Sequence, residues 1–320
     1  MLYYNKLLYY NIFMTNKIQT YLLTLFFLVF SLISSANAEV KVVTSIKPIH
    51  SLVSYIMDGV GKPDVIVDGY NSPHGFSLKP SHAKMLENAD LVIWVGEDLE
   101  AFLEKPLQTI VKKAKNIELM DLKGIKKLEF REKNIFEEHD DHKEKDGHEG
   151  HGHGEHDPHV WLDPINAKVI IKEITNQLVQ LDSKNSSIYK SNAKKALTDI
   201  DKLVKDIKKE LNKDLRFVVF HDAYQYFENR FDIQVLGALT VNTDVMPGVE
   251  QLSEIREVIE HEKVNCLFSE PQFNPAIIKS IAKDTKIKTG ILDPLGAKLD
   301  KGKNLYFDLL KNMSSSFKGC

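Results

Sequence analysis

Short apolar runs rich in β-branched residues alternate with longer segments of helical periodicity along most of the chain. The short runs predict strands and the longer segments predict helices. Four strands are predicted in the first half, at residues 40–45, 64–67, 91–95 and 116–119. Four more are predicted in the second half, at residues 216–220, 234–236, 265–268 and 287–292. Because alternating strands and helices are typical of βαβ units, we predict an α/β protein with mostly parallel sheets in two lobes.

One segment between these halves has an unusually steady helical pattern. Residues 193–211 carry an apolar side chain at every third or fourth position, namely Ala196, Leu197, Ile200, Leu203, Val204, Ile207 and Leu211. This spacing predicts an amphipathic helix. Counted from Ser186, the helix covers about 26 residues and about 39 Å. It is either a rigid backbone helix that joins the two lobes or an ordinary helix packed inside one domain, and the pattern does not separate the two.

The longest apolar run lies near the N-terminus, at residues 21–33, with Lys17 before it and Ala36-Asn37-Ala38 after it. It is shorter than the roughly 20 residues of a membrane-spanning helix, and it matches the core of a secretory signal peptide. We therefore expect residues 1–38 to be a signal peptide cleaved after Ala38. Met14 is an alternative start, because it gives the signal a shorter basic region.

The predicted cleavage site has no cysteine near it, so the usual lipid attachment point of an exported lipoprotein is missing. We expect a periplasmic protein without a membrane anchor. The chain has only two cysteines, Cys266 and Cys320. In an oxidising compartment such a pair favours one disulfide, and the alternative is two unrelated buried thiols.

The charge distribution argues against a nucleic-acid partner. The formal net charge is −3, and it becomes about −5 without residues 1–38, which contain two lysines and no acidic residue. Residues 137–158 alone carry about −7, so the rest of the mature chain is nearly neutral. We divide that chain into an N-terminal lobe (39–163, including the segment 137–158), a connecting helical segment (164–213) and a C-terminal lobe (214–320).

This acidic segment is also rich in histidine. Seven of the twelve histidines of the chain lie between Glu137 and Trp161, among glycines and carboxylates. Imidazoles and carboxylates bind divalent metals, whereas a solvated disordered linker with incidental histidines is the alternative. Because flexible ligands lose entropy on binding, we predict a secondary site of low affinity. Its ligands would be His139, His142, His148, His151, His153 and His156.

Four other residues with metal-binding side chains follow predicted strands or lie beside tight turns. His74 lies in a loop rich in Gly and Pro, His159 lies between two prolines, and His221 and Asp293 each come directly after a strand. Open α/β sheets bind their ligands at the carboxyl ends of strands. Each residue alone is weak evidence, but three imidazoles and one carboxylate form a set that fits tetrahedral zinc.

Several motifs resemble those of a known family in order and spacing: GYNSPHGFSLKPS, DPHVWLDP, FHDAYQYFE, FSEPQFNP and ILDPLG. They resemble the periplasmic zinc-uptake solute-binding proteins of the ZnuA type, over residues 39–320. The resemblance implies two βα lobes joined by a long backbone helix, one Zn(II) ion bound between them, and delivery to an inner-membrane ABC permease. It implies His74, His159 and His221 as ligands, with Asp293 in the position of the aspartate of the second lobe.

The chain departs from some members of this family at Pro73, where they have a glutamate before the first histidine. The fourth ligand is therefore Asp293 or a water molecule, and we expect Asp293. The manganese-binding branch has a carboxylate in the position of His221. Three imidazoles favour zinc over manganese, although Cu and Ni bind such a set in vitro as well.

Three alternative functions are compatible with the sequence. The first is a manganese- or nickel-binding transport protein of the same fold. The second is a zinc hydrolase, in which an open fourth position activates water. The chain has no HExxH motif and no evident general base beside the four residues, so we expect a monomeric binding protein and no enzyme. The third is a surface adhesin or metal store that depends on the histidine-rich segment.

A few further residues are interpreted as supporting ones. Glu270 follows a predicted strand and is a hypothetical acceptor for the ring N–H of a ligand histidine. His50, His82 and His261 are isolated in the sequence, so we expect surface or structural roles for them.

Overall fold

The computed structural model describes Met14 and residues 39–136, 155–211, 214–241, 243 and 247–320. The chain divides into two compact units, Met1–Glu39 and Val40–Cys320, and the features below belong to the second unit. Apart from Met14, the predicted signal peptide lies outside the described residues. So do five of the six predicted secondary ligands, namely His139, His142, His148, His151 and His153.

The first lobe is built on a parallel sheet with strand order β2-β1-β3-β4. Its strands are β1 (Val42–Ile46), β2 (Asp64–Val67), β3 (Leu91–Trp94) and β4 (Lys115–Glu118). Its helices are α1 (Lys47–Ile56), α2 (Pro80–Glu87) and α3 (Glu97–Thr109). All residues of β1 and β3 are buried, as expected for central strands of a sheet covered on both faces.

The second lobe repeats this arrangement with the order β6-β5-β7-β8, again with all strands parallel. Its strands are β5 (Arg216–His221), β6 (Gln234–Thr240), β7 (Cys266–Ser269) and β8 (Lys288–Ile291). Its helices are α6 (Gln225–Phe231), α7 (Val249–His261) and α8 (Ala276–Thr285). The predicted α/β class with two parallel-sheet lobes is confirmed.

A pair of helices, α4 (Pro164–Leu181) and α5 (Ser186–Glu210), lies between the two sheets in the sequence. Helix α5 has 25 residues and buries one stripe, formed by Tyr189, Ala193, Ala196, Ile200, Leu203 and Ile207. It packs against α1, α4 and the C-terminal helix α9 (Leu305–Gly319) and links the lobes. The predicted backbone helix is confirmed. The domain boundaries at 163/164 and 213/214 stay predictions.

A stretch after β4 crosses from the first lobe to the edge of the second sheet. Ile135 pairs with Gly237 of β6 in antiparallel fashion, and the Ala238 N–H donates to Asn134 O over 2.8 Å. A side chain at position 237 would place its Cβ 2.7 Å from Asn134 O, so only glycine fits there. Arg131 of the same stretch donates to Glu228 of α6 over 2.8 Å. The chain therefore enters the histidine-rich segment from the second lobe.

Helix α9 is fastened to the second sheet at its end. Cys320 forms a disulfide with Cys266 of β7, which confirms the predicted pair. The Phe317 ring lies 4.9 Å from Phe217 and 5.3 Å from Phe268, measured between ring centroids. Aromatic packing and the covalent link together hold α9 on this lobe.

Among the described helices, none combines the length and the apolar character that a membrane span requires.

Candidate metal centre

The three histidines come from different elements that end at the same place. His221 is the last residue of β5, His74 lies in the loop between β2 and α2, and His159 directly precedes a short 3-10 helix, Val160–Leu162. His159 and His221 are almost completely buried, and His74 is half-buried. The loop after β2 in the first lobe and the end of β5 in the second lobe thus meet at one buried point, on the side where open α/β sheets bind their ligands.

The ligand atoms of these three side chains form a compact group, with all of them within 4.8 Å of one another. The Nε2 atoms of His159 and His221 are 3.4 Å apart. Two nitrogens bound to one tetrahedral zinc ion at 2.0–2.1 Å would be separated by about 3.3–3.4 Å. No other group of three or more His, Cys, Asp or Glu residues in the described part of the chain is as close together.

Two of the three imidazoles are oriented by a carboxylate. His159 Nδ1 donates to Asp157 Oδ1, and His221 Nδ1 donates to Glu270 Oε1, both over 2.7 Å. Because Asp157 Oδ1 and Glu270 Oε1 act as the acceptors, Nδ1 carries the proton in each ring and the Nε2 lone pair points into the centre. This carboxylate–histidine arrangement is common behind metal ligands and fixes both tautomer and ring direction.

Burial and mutual repulsion keep two of the rings neutral. Burial, with the neighbouring imidazoles, holds the pKa of His74 well below its usual range, and burial with His221 does the same for His159. Burial also opposes the charge of His221, but the charge and hydrogen bond of Glu270 outweigh it and raise the pKa of His221. In the metal-free protein, a proton on His221 Nε2 can bridge to His159. A bound cation must displace that proton.

The space enclosed by the three rings is small. The cavity measures about 10 Å³ and is also lined by Trp161, Phe273 and Leu295. On this measure, the space holds at most about one water molecule. Trp161 is fully buried, and its Nε1 donates to Pro294 O over 2.9 Å, so it forms part of the cleft wall. The geometry suits one ion held by protein ligands and leaves little room for an organic substrate.

The structure places Asp293 outside the histidine group. Its Oδ1 accepts from Gln272 Nε2 over 3.0 Å and from the Leu295 N–H over 3.2 Å. Its Oδ2 accepts from the Ala297 N–H over 2.6 Å. In the described structure, the expected fourth ligand therefore organises the turn that carries Pro294 and Leu295 to the cavity wall.

The remaining histidines that the structure describes lie elsewhere. His50 and His82 are buried and bond to the backbone, through Pro63 O and Lys79 N respectively. His261 is exposed at the end of α7. His156 is half-buried and pairs with Glu129 in an isolated antiparallel bridge.

Sequence reasoning found Glu270 as a hypothetical acceptor but missed Asp157. The Asp157 side chain also accepts from the backbone N–H of His159 over 2.9 Å, so it fixes both the main chain and the ring of that residue. The available signal was its position two residues before His159, inside the DPH tripeptide. Asp157 did not stand out in the sequence, because it is the last acidic residue of a long acidic run.

Comparison with protein-family models shows which family the chain belongs to. The model of the family described as "Zinc-uptake complex component A periplasmic", ZnuA, matches residues 42–320. The chain belongs to the ZnuA family. All three histidines and both orienting carboxylates lie inside the matched range.

Individual relatives agree with this membership. The "High-affinity zinc uptake system protein ZnuA" of Brucella abortus (strain 2308) is 42% identical over 311 residues, covering 90% of this chain and 93% of the relative. The protein of the same name from Yersinia pestis is 38% identical over 293 residues, covering 88% and 92%. A solved structure titled "Crystal structure of ZnuA" has a TM-score of 0.73 at 23% identity, covers 88% of this chain and 98% of that one, and shows the shared fold.

Proposed function

We propose that this chain is a periplasmic solute-binding protein that captures Zn(II) and delivers it to an inner-membrane ABC permease. It acts as a monomer and catalyses no reaction. His74, His159 and His221 are its metal ligands. Asp293 or a water molecule supplies the fourth. Family membership and the names of the relatives support the transport role.

One observation supports the metal assignment most strongly, namely the 3.4 Å separation of the Nε2 atoms of His159 and His221. Two acceptor nitrogens at this distance repel each other unless a proton or a cation lies between them. Both rings have a carboxylate on the opposite nitrogen, which increases the donor strength of Nε2. Nitrogen donors of this kind suit zinc better than manganese, which prefers oxygen.

The small cavity supports binding over hydrolysis. A hydrolytic zinc site keeps one position open for water and admits a substrate beside it. Here Trp161, Phe273 and Leu295 line the narrow space around the histidines. A binding protein gains from such a narrow space, because neutral ligands and buried carboxylates then surround the cation.

The histidine-rich segment has an accessory role in this proposal. It collects metal at low affinity near the entrance to the centre. The chain before the segment is bound to the second lobe, because the Phe136 N–H donates to Leu236 O of β6, and near its other end Glu155 O accepts from the Phe130 N–H. His159 follows only four residues after Glu155.

Competitive titration of metal-free protein against Zn, Mn, Ni and Cu tests the binding step. We expect one tightly bound zinc ion and a strong preference for zinc over manganese. Copper and nickel compete in vitro, as the Irving–Williams order requires. Equal affinity for manganese and zinc would favour the manganese-transport alternative.

Zinc accumulation in cells tests delivery. Cells without this chain should fail to accumulate zinc at low external zinc. The wild-type chain should restore uptake, and His221→Ala should not. Restoration by His221→Ala would contradict the proposed route from the histidine centre to the permease.

A further inference from the structure

Lys47 is a buried cation at the contact between the lobes. It is the first residue of α1, directly after β1, and only 4% of its surface is exposed. Its Nζ donates to Gly296 O and Leu299 O over 2.7 Å each, and to Ala297 O over 3.2 Å. The three donors of the ammonium group thus all meet carbonyls of one segment, about 250 residues further along the chain.

The segment that Lys47 holds is the turn behind the metal cavity. Ala297 directs its carbonyl to Lys47 and its N–H to Asp293 Oδ2, over 2.6 Å. Leu295, two residues earlier, lines the cavity of the three histidines. Lys47 therefore binds the carbonyl groups of the same turn that places Leu295 in the cavity wall.

The same lysine also faces the start of the loop that carries His74. Asp68 is the first residue after β2, and its Oδ1 lies 4.0 Å from Lys47 Nζ. The other oxygen of Asp68 pairs with Lys301 Nζ over 2.8 Å. Asp68 of the first lobe is thus held between Lys47 and a lysine from the segment that follows β8. We call Lys47, Asp68 and Lys301 the clasp.

His74 needs such support more than the other ligands do. His159 and His221 each have a carboxylate 2.7 Å behind the ring. For His74, by contrast, the described hydrogen bonds include none between a carboxylate and the ring, and its buried Nε2 atom has no partner, as expected of the atom that faces the ion. Its position therefore depends on the loop between β2 and α2, and the clasp fastens that loop at its first residue.

We propose that the clasp positions the His74 loop against the second lobe and thereby sets how long a captured ion is retained. This inference rests on the proposed zinc-binding function. Lys47 is a positioning residue and not a ligand. The His159–His221 pair makes the first contact with the ion, and closure of the His74 loop completes the shell.

Lys47→Met in the full-length protein tests this role. The variant keeps most of the side-chain volume and removes the charge and all three donors. We expect zinc dissociation, measured with an excess of chelator, to become about tenfold faster or more, with association changed much less. Co(II) bound to the variant should lose the absorption of a tetrahedral site, because His74 no longer closes it.

Lys303→Met is the matched control. Lys303 lies in the same segment, is about as exposed as Lys301, and also reaches the first lobe, pairing with Asp58 over 2.5 Å. Asp58 follows α1 and does not belong to the His74 loop. The control should keep the wild-type dissociation rate and Co(II) spectrum, which separates the clasp from a general effect of ion pairs between lobes.

Amide hydrogen exchange in the metal-free protein provides a readout that needs no zinc. Residues 69–78 should exchange faster in Lys47→Met than in the wild type or Lys303→Met, because local opening becomes easier. If Lys47→Met does not fold, the variants Asp68→Asn and Lys301→Met test the clasp instead, through zinc dissociation, the Co(II) spectrum and amide exchange.

The proposed role of the clasp would be overturned if the folded variants kept the wild-type zinc dissociation rate, Co(II) absorption spectrum and amide exchange rates. That result would not contradict zinc binding by the wild type. Failure of the wild type to bind zinc tightly would instead overturn the proposed function.

Discussion

His159 and His221 face each other with their Nε2 atoms 3.4 Å apart, and each ring is held from behind by a buried carboxylate. The pair is therefore arranged for a cation before one arrives. Preorganised ligands lose little entropy on binding, which favours high affinity. The third histidine, His74, comes from the loop between β2 and α2 of the first lobe.

Replacing a carboxylate behind a ligand should weaken zinc binding without abolishing it. We predict that Glu270→Gln lowers the zinc affinity by about 10- to 100-fold, since changes of this kind usually cost that much. The glutamine is neutral and no longer stabilises the ring orientation through charge. Isothermal or competitive titration gives the affinity.

Glu262→Gln is the control for this prediction, because Glu262 is exposed and pairs only with Arg216 in the described contacts. It should bind zinc as the wild type does. An equal affinity of Glu270→Gln and wild type would show that the carboxylate does not act through His221.

The variant Asp293→Ala tests whether Asp293 is a metal ligand or only stabilises the turn that forms the cavity wall. In the structure the Asp293 oxygens accept from Gln272, Leu295 and Ala297. We predict a smaller loss of zinc affinity than His221→Ala causes, because the three imidazoles remain. The measurement is a zinc titration of both variants side by side. A loss of affinity as large as that of His221→Ala would show that Asp293 is an essential fourth ligand.

The pH dependence of zinc binding should depend on Glu270. Metal ligands must be unprotonated, so affinity falls as pH falls through the pKa of a ligand histidine. The raised pKa of His221 makes its proton the first to compete as pH is lowered, whereas the lowered pKa values of His74 and His159 delay their protonation. We predict that Glu270→Gln shifts the fall in affinity to lower pH. Identical pH profiles in a competitive titration would contradict this assignment.

Much of the fold follows from local patterns in the sequence. The strand predicted at 64–67 has the observed bounds, and the helix predicted from Ser186 ends at Glu210, one residue before the expected end. Buried parallel strands and a long amphipathic helix give strong periodic signals. The strand predicted at 234–236 was too short, since β6 continues to Thr240. Gly237 and Ala238 have little strand preference, and burial of the sheet decides there.

Contacts between distant parts of the chain could not be predicted in this way. The stretch that pairs Ile135 with Gly237 leaves no periodic signal, because it forms only an isolated bridge. Lys47 meets its carbonyl partners at Gly296 and Leu299, which lie 249 and 252 residues further along the chain. The histidines themselves were predictable because chemistry concentrates at strand ends. The orientation of Asp293 was not, because it depends on the turn formed by the residues after it.

The most direct test of the proposed metal site is a zinc titration of the protein lacking residues 138–154, with and without His159→Ala and His221→Ala. We predict that the shortened protein retains one tightly bound zinc ion, and that the two substitutions together remove it. Loss of tight binding on shortening alone, or its persistence in the doubly substituted protein, would contradict the assignment of the tight site to the histidines between the lobes.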